Sequence, residues 1–241
     1  MTVEESRLDI LDDEWERALA IVAHPDDLEY GASSAVARWT SEGRHVAYVL
    51  ATRGEAGLGN VPPSKAAVIR EEEQRRSASV VGVEQVTFLD HVDGAIEYGL
   101  PLRRDLAREI RRHSPELILT LNRHETWGGP TFNMADHRHL GLAVLDAARD
   151  AANRWVFPEL LDEGLEPWGG VRLVCFSGSP SAHHGVDVTG FLDAGIASLE
   201  AHQAYVEHVG TDPDSWLREA AETAGRLLGT EHGVALEVVR L

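Results

Sequence analysis

One histidine and two aspartates follow directly on a short apolar run near the start of the chain. The run Ala18–Ala23 is bounded by polar residues, and after it come His24, Pro25, Asp26 and Asp27. Imidazole nitrogen and carboxylate oxygen are both good zinc donors. Because Pro25 fixes one backbone angle, we expect His24 and Asp27 to point toward a common metal ion. Asp26 cannot easily reach the same ion, which leaves it free to act as a base.

A third metal ligand is expected from a distant segment of the chain. Asp136 is a natural N-cap for the helix predicted there, and His137 follows in the first turn. The two segments together supply His24, Asp27 and His137, and three protein ligands with an open fourth position are typical of catalytic zinc. The plainer interpretation is a capping turn at residues 24–27 with histidines on the surface.

These residues need a fold that brings them together, and the apolar patterning predicts one. Short apolar runs typical of buried strands alternate with helical patterns, which indicates an α/β fold with a mostly parallel sheet and helices on both faces. The predicted strands are Ala18–Ala23, Val46–Thr52, Val86–Leu89, Leu117–Leu121, Val171–Phe176 and a terminal Val234–Val239, the last open to an antiparallel orientation. The predicted helices are Ser33–Glu42, Ser64–Val81, Leu102–His113, Asp136–Arg149, Leu192–Val206 and Trp216–Leu228.

The chemistry is expected at one edge of this sheet. In open α/β sheets, ligands bind beyond the carboxyl ends of the strands. The residues that follow Ala23, Thr52, Leu89 and Leu121 should therefore meet there. No repeat or linker interrupts the 241 residues, so we expect a single domain over residues 1–241.

Composition excludes several classes of function. A formal charge of −18 without a long Lys/Arg run argues against binding to nucleic acid. The only cysteine, Cys175, lies in an apolar run, which excludes disulfides and cysteine-based zinc fingers. No apolar stretch approaches the length of about 20 residues that a membrane span needs. The acidic, polar start does not resemble a signal peptide, and we infer a cytoplasmic protein.

The segment Ala23–Asp27 resembles the signature of the LmbE-like/PIG-L family of zinc-dependent N-deacetylases. Other segments resemble that family in the same order along the chain: Thr52–Gly57, Arg70–Glu71 to Gly82–Val83, Asp93–Gly94, Asp136–Arg138, Val186–Val188 and Ala201–Gln203. The resemblance implies a Rossmann-like fold and hydrolysis of an acyl amide, often an N-acetyl group on an amino sugar or glycoside. It implies Zn²⁺ on His24, Asp27 and His137, with Asp26 as general base.

The chain departs from the family pattern at the residue three places before the last ligand. A histidine usually stands there and helps to stabilise the oxyanion, whereas this chain has Met134, which cannot donate a hydrogen bond. His124 and His202 are the candidates to replace it. An acidic residue that usually follows the two aspartates is also absent, because Leu28 stands there and Glu29 comes one place later.

Three further residues are expected to contact a small-molecule substrate. Arg53 follows the second predicted strand and Asp93 lies in a nearby turn, with a surface arginine and a turn aspartate as the plainer interpretations. Asn133 ends the stretch Trp127–Asn133, which is expected to shape the pocket. The oligomeric state stays open, and a homo-oligomer is one alternative.

Two other functions compete with hydrolysis. His24 and Asp26 with a distant His137 also fit the facial triad of non-haem Fe(II) oxygenases, although those sites normally lie on all-β barrels. A degenerate module that binds a metal or a ligand without catalysis is the other alternative. Met134 supports it, while the presence of Asp26 argues against it because metal binding does not require that residue.

Overall fold

The computed structural model describes residues 7–12, 14–210 and 212–241. Within these residues, eight strands form one sheet in the order β1-β7-β8-β6-β5-β2-β3-β4. The strands are β1 (Asp9–Ile10), β2 (Arg17–Val22), β3 (His45–Leu50), β4 (Gln85–Phe88), β5 (Leu117–Leu121), β6 (Leu173–Ser177), β7 (His184–Asp187) and β8 (Gly233–Arg240). Neighbouring strands pair in parallel except at β8, which is antiparallel to both β6 and β7.

The α/β fold class and the mostly parallel sheet predicted from the sequence are therefore confirmed. The terminal strand takes the antiparallel orientation that the sequence left open. The described residues form a sheet with helices and no all-β barrel, which is the usual setting of the oxygenase triad.

Helices cover both faces of the sheet, because the central strands bury side chains on both sides. Along β2, Leu19 and Ile21 pack into one apolar cluster, and Ala20 and Val22 pack into the other, as the alternation of a strand requires. The described helices are α1 (Asp27–Gly31), α2 (Ser33–Ser41), α3 (Pro63–Val80), α4 (Leu100–His113), α5 (Ala135–Ala152), α6 (Glu159–Asp162), α7 (Leu192–Glu200), α8 (Gln203–Val209) and α9 (Pro213–Leu228). None of the described helices is both long and apolar enough to cross a membrane.

The direction of the chain through the sheet reverses beside β2. The chain proceeds from β2 to β3 and β4 on one side, and then returns to β5 on the other side of β2. A reversal of this kind leaves a crevice beyond the carboxyl ends of the two strands, which is where ligands bind in open α/β sheets. The residues that follow β2 and β5 therefore lie at the edge of the crevice.

The prediction of a single long helix over Leu192–Val206 is wrong. The segment Leu192–Val206 forms two helices, α7 and α8, which are separated at His202. The buried carboxylate of Glu73 accepts a hydrogen bond from the backbone N–H of Ala204 at 2.6 Å. That N–H would otherwise continue the helical ladder, so a side chain from α3 ends the first helix.

Candidate active site

Three potential metal donors converge just beyond β2. His24 and Asp27 lie between β2 and the first turn of α1, and His137 lies in the first turn of α5. One ligand atom from each residue lies within 4.8 Å of the others, and all three residues are buried. Asp27 Oδ2 accepts the backbone N–H groups of Ala23 at 3.0 Å and His24 at 2.8 Å. Asp27 Oδ1 is left facing His137 Nε2 at 3.2 Å.

The outer nitrogen of His24 is held by two carboxylates. Nε2 lies 3.0 Å from Asp93 Oδ1 and 3.2 Å from Asp136 Oδ2. When Nε2 carries a proton for these oxygens, Nδ1 is the nitrogen left to bind a metal ion, and it lies on the side of Asp27, 3.6 Å from Oδ2. Carboxylate partners of this kind orient the histidine ligands of metal sites.

Asp136 was predicted to cap α5, and this prediction is wrong. Met134 occupies the N-cap position without a side-chain hydrogen bond, and the helix begins at Ala135, which places Asp136 inside the first turn. The carboxylate of Asp136 instead accepts backbone hydrogen bonds from Gly94 at 2.8 Å and Ile96 at 3.2 Å. It thereby joins the loop after β4 to His24.

His137 is oriented in the same way by an amide. Its Nδ1 lies 3.0 Å from Asn133 Oδ1, and the amide nitrogen of Asn133 donates to the carbonyl oxygens of Asn122 and His124. These two bonds identify Oδ1 as the acceptor, so Nδ1 of His137 carries the proton and Nε2 is free. Nε2 is buried and makes no hydrogen bond to any described residue.

The charges around these histidines favour a cation. Asp27, Asp93 and Asp136 surround two imidazoles, and burial of so many carboxylates is costly unless positive charge compensates them. Burial opposes ionisation of Asp27, but His137 and His24 outweigh it and hold the pKa of that carboxyl well below its usual range. The ring nitrogens that face Asp27, the Oδ1 atom of Asp27 and this excess of negative charge together fit a divalent metal ion.

Asp26 lies beside these three candidate ligands, His24, Asp27 and His137, which we call the metal group, and makes different contacts. Its backbone has φ of 83°, a left-handed conformation that turns the chain sharply between the two ligands. Its carboxylate accepts a close hydrogen bond from the guanidinium of Arg70, which also donates to the carbonyl oxygen of Pro25. Burial raises the pKa of Asp26 to about 7, against the opposing charge of Arg70.

Two glycines make room for the Arg70 guanidinium. A Cβ atom at Gly57 would lie 2.0 Å from Arg70 Nη1, and one at Gly54 would lie 2.9 Å from Cζ. Gly54 also has φ of +66°, a conformation that other residues rarely adopt. On its other side the guanidinium stacks over the Tyr205 ring, with Cζ 4.2 Å from the centroid. Arg70 is therefore enclosed on several sides and directed at Asp26.

A cavity of about 710 Å³ opens onto the metal group and Asp26. Its walls are largely aromatic and apolar: Tyr30, Leu121, Trp127, Met134, Tyr205 and Trp216. Trp127 meets the His137 ring edge-on, with centroids 5.6 Å apart. A volume of this size is in the range of about 300–1,000 Å³ that encloses a small-molecule ligand.

Asp93 lines this cavity, but four of the other predicted site residues, Arg53, His124, His202 and Asn133, do not. The Arg53 guanidinium binds Glu71, Asp90 Oδ1 at 2.8 Å and the carbonyl oxygen of Leu89 at 3.0 Å. It therefore holds the loop after β3 to neighbouring segments.

The two histidines proposed as oxyanion donors also face other partners. His124 Nε2 lies 2.7 Å from Glu237 Oε2, on β8. His202 is fully buried, with Nε2 3.7 Å from Glu29 Oε2. Asn133 is fully buried too and contacts His137, which makes it a support of the metal group.

A family of known proteins matches the part of the chain that carries these residues. The sequence profile of the family described as PIG-L, GlcNAc-PI de-N-acetylase, matches residues 19–148, more than half of the chain. The chain belongs to the PIG-L family. The matched residues include all three candidate ligands of the metal group, together with Asp26 and Arg70.

Individual PIG-L relatives extend the similarity over most of the chain. The diacetylchitobiose deacetylase of Thermococcus kodakarensis is 27% identical over 226 residues, which cover 92% of this chain and 83% of the relative. A 1D-myo-inositol 2-acetamido-2-deoxy-alpha-D-glucopyranoside deacetylase of Kineococcus radiotolerans is 34% identical, over 80% of this chain and 70% of its own.

A solved structure shares the fold. N,N′-diacetylchitobiose deacetylase from Pyrococcus horikoshii superimposes with a TM-score of 0.84 at 22% identity, over 94% of this chain and 84% of its own. At 22% identity, this similarity shows a shared fold and nothing about shared activity.

Within this PIG-L chain, sequence reasoning gave no role to two cavity residues, Arg70 and Tyr205. Arg70 appeared only as part of a resembling segment, and Tyr205 was not singled out. The pair Gly54 and Gly57 was the available signal for Arg70, because two closely spaced glycines often mark close approach of another group. No local pattern indicates Tyr205, whose contacts all come from distant parts of the chain.

Proposed function

We propose that this protein is a zinc-dependent hydrolase that removes the N-acyl group of an amino sugar or glycoside. The observation that carries the proposal is the convergence of His24, Asp27 and His137. In each histidine, the ring nitrogen that faces away from Asp27 is held by an oxygen atom: Nε2 of His24 by Asp136, and Nδ1 of His137 by Asn133. Two nitrogens and one carboxylate oxygen with an open fourth position form a donor set typical of catalytic zinc. The deacetylase names of the relatives supply the substrate class.

Zinc bound there would polarise the amide carbonyl and lower the pKa of water toward about 7. Asp26 is the base in this proposal, because its carboxylate lines the cavity beside the metal group and is not one of the three candidate ligands. Asp26 would accept a proton from the attacking water and return it to the amine as the C–N bond breaks. Arg70 holds the carboxylate in place for both transfers.

The cavity walls suit a sugar. Aromatic rings present flat apolar faces that can pack on the C–H face of a pyranose, and Tyr30, Trp127 and Trp216 supply such faces. Asp93 also lines the cavity, but its Oδ1 is directed at His24 and its Oδ2 accepts the backbone N–H of Ala56 at 2.7 Å, so a sugar hydroxyl would have to share one of these oxygens. The volume of about 710 Å³ leaves room for a substituent beyond the N-acyl sugar itself.

The test combines metal analysis with a substrate screen. The protein is purified without added metal, its metal content is measured by mass spectrometry, and amine release is followed with N-acetylglucosamine, N,N′-diacetylchitobiose and an N-acetylglucosaminyl inositol. We expect about one zinc per chain, activity that a chelator abolishes, and recovery when zinc is added back. His137→Ala is the control, and it should hold no metal.

Other results would contradict the proposal. Activity that survives complete removal of the metal would exclude a metal-dependent mechanism. Iron in place of zinc, with no amine release, would favour the oxygenase alternative. Stoichiometric zinc without turnover of any N-acyl sugar would favour a module that only binds.

A further inference from the structure

The proposed hydrolase lacks a hydrogen-bond donor in one position of its cavity. Met134 lines the cavity next to α5 and has a side chain that cannot donate. The two histidines considered as replacements contact Glu237 and Glu29 and do not line the cavity. Other side chains on the cavity wall are therefore the next candidates for a donor to the developing oxyanion.

Tyr205 lies on that wall and is firmly held. The Arg70 guanidinium packs over one face of its ring at 4.2 Å, and the Tyr30 ring meets it edge-on, with centroids 6.4 Å apart. The preceding residue, Ala204, donates its backbone N–H to buried Glu73 at 2.6 Å. These contacts fix the ring from α3 and α1, so its position does not depend on α8 alone.

The hydroxyl group of Tyr205, in contrast, has no fixed partner. It makes no hydrogen bond to any residue that the structure describes, although the residue lines the same cavity as Asp26 and Asp27. Burial raises the pKa of Tyr205, and the two carboxylates raise it further, so the hydroxyl stays protonated at neutral pH. A protonated hydroxyl group on a fixed ring that lines the cavity is an available donor.

We propose that Tyr205 is a catalytic residue whose hydroxyl donates a hydrogen bond to the amide carbonyl oxygen of the substrate as negative charge develops there. The inference rests on the proposed function. Water adds to the carbonyl carbon, the C=O electron pair moves to oxygen, and Asp26 takes the proton. When the C–N bond breaks, the electron pair on the oxygen forms the C=O bond again. The bonding pair of C–N stays on nitrogen, which receives the proton from Asp26 and leaves as the amine. Tyr205 keeps its own proton throughout.

The decisive variant is Tyr205→Phe, which removes the hydroxyl and keeps the ring under Arg70. Loss of one oxyanion donor should lower kcat by about 10²–10³-fold, with KM changed by no more than about threefold. Zinc content and the melting temperature should not change. Tyr98→Phe is the matched control, because the Tyr98 hydroxyl binds Asp146 away from the cavity.

A binding measurement gives an independent readout. The methylphosphonamide of glucosamine carries tetrahedral oxygens at the position of the oxyanion, and its Kd for the zinc-loaded protein is measured by calorimetry. Tyr205→Phe should weaken this analogue by about 10²-fold or more and leave the Kd of glucosamine unchanged. This comparison of affinities does not require turnover of any substrate. Failure to turn over every substrate in the panel would refute the proposed function, whereas equal analogue affinity would refute the role of Tyr205.

Several results would overturn the role of Tyr205. Equal kcat and equal analogue affinity in Tyr205→Phe would exclude the hydroxyl as a donor. A rise in KM alone would make it a substrate-binding group. If Tyr205→Phe is normal and Tyr205→Leu is slow, the ring acts only by supporting Arg70. A loss that appears in Trp127→Phe instead would assign the donor to the indole N–H of Trp127, which also lines the cavity.

Discussion

A single methyl group at Gly57 should displace the guanidinium that holds the proposed base. In Gly57→Ala the new Cβ would lie 2.0 Å from Arg70 Nη1, whereas ordinary contact begins near 3.4 Å. The nitrogen must therefore move by about 1.4 Å. Gly54 on the one side and the Tyr205 ring on the other leave little free space, so the guanidinium can move only by giving up its contact with Asp26.

The expected cost follows from the size of this shift. A misplacement of about 1 Å in a catalytic group can lower the rate by about 10²-fold, and we expect a loss of that order in kcat/KM for Gly57→Ala. The assay is amine release from N,N′-diacetylchitobiose, or from whichever substrate of the panel reacts fastest. Metal content should remain at the wild-type level, because Gly57 makes no contact with the three ligands.

Gly59→Ala provides a matched control in the same loop. A Cβ there would meet His208 at 3.5 Å, which is ordinary contact, and Gly59 has no positive φ. It should keep the wild-type rate. If Gly57→Ala also keeps its rate to within about threefold, the position of Arg70 does not matter for catalysis and the reasoning fails. A loss of zinc in Gly57→Ala would show that the effect passes through the metal group.

Three further predictions concern the groups around the metal. Asp26→Asn should abolish amine release and retain zinc, and loss of zinc from that variant would show that Asp26 is a ligand. Asn133→Ala should weaken zinc binding by about 10–100-fold in competition with a chelator, because it frees His137 Nδ1; unchanged affinity would mean that other contacts orient the ring. Arg70→Met should lower the free energy of unfolding in urea by about 1–3 kcal/mol, since buried Asp26, whose pKa is already about 7, loses its hydrogen-bond donor and takes up a proton, whereas equal stability would show that another donor or water replaces the guanidinium.

Much of the fold could be predicted because local patterns carry it. Leu117–Leu121 was predicted to the residue, since a fully buried strand in a parallel sheet is a continuous apolar run between polar ends. The strands Asp9–Ile10 and His184–Asp187 were not predicted. They are short and partly polar, and they are strands because of their pairing with each other and with β8.

The candidate site divides in the same way. His24, Asp27 and His137 were predicted because strand ends meet at one edge of a parallel sheet, which is a rule of topology. The roles of Asp136, Asn133 and His124 depend on which atom lies nearest after folding. From its place in the sequence, Asp136 was predicted to cap α5. In the structure its carboxylate instead accepts hydrogen bonds from the backbone N–H groups of Gly94 and Ile96, which are distant in sequence.

The carboxylate of Glu237 joins the far end of the chain to the metal group. It accepts hydrogen bonds from Arg123 at 2.6 Å and Ser179 at 2.6 Å, and it lies 2.7 Å from His124 Nε2. These contacts secure the loop that ends at Asn133, the partner of His137. In the order of synthesis, the ribosome adds the two ligands near β2 first and Glu237 long after His137. A nascent chain that stops short of β8 therefore has every proposed zinc ligand but lacks the anchor of the loop that orients one of them.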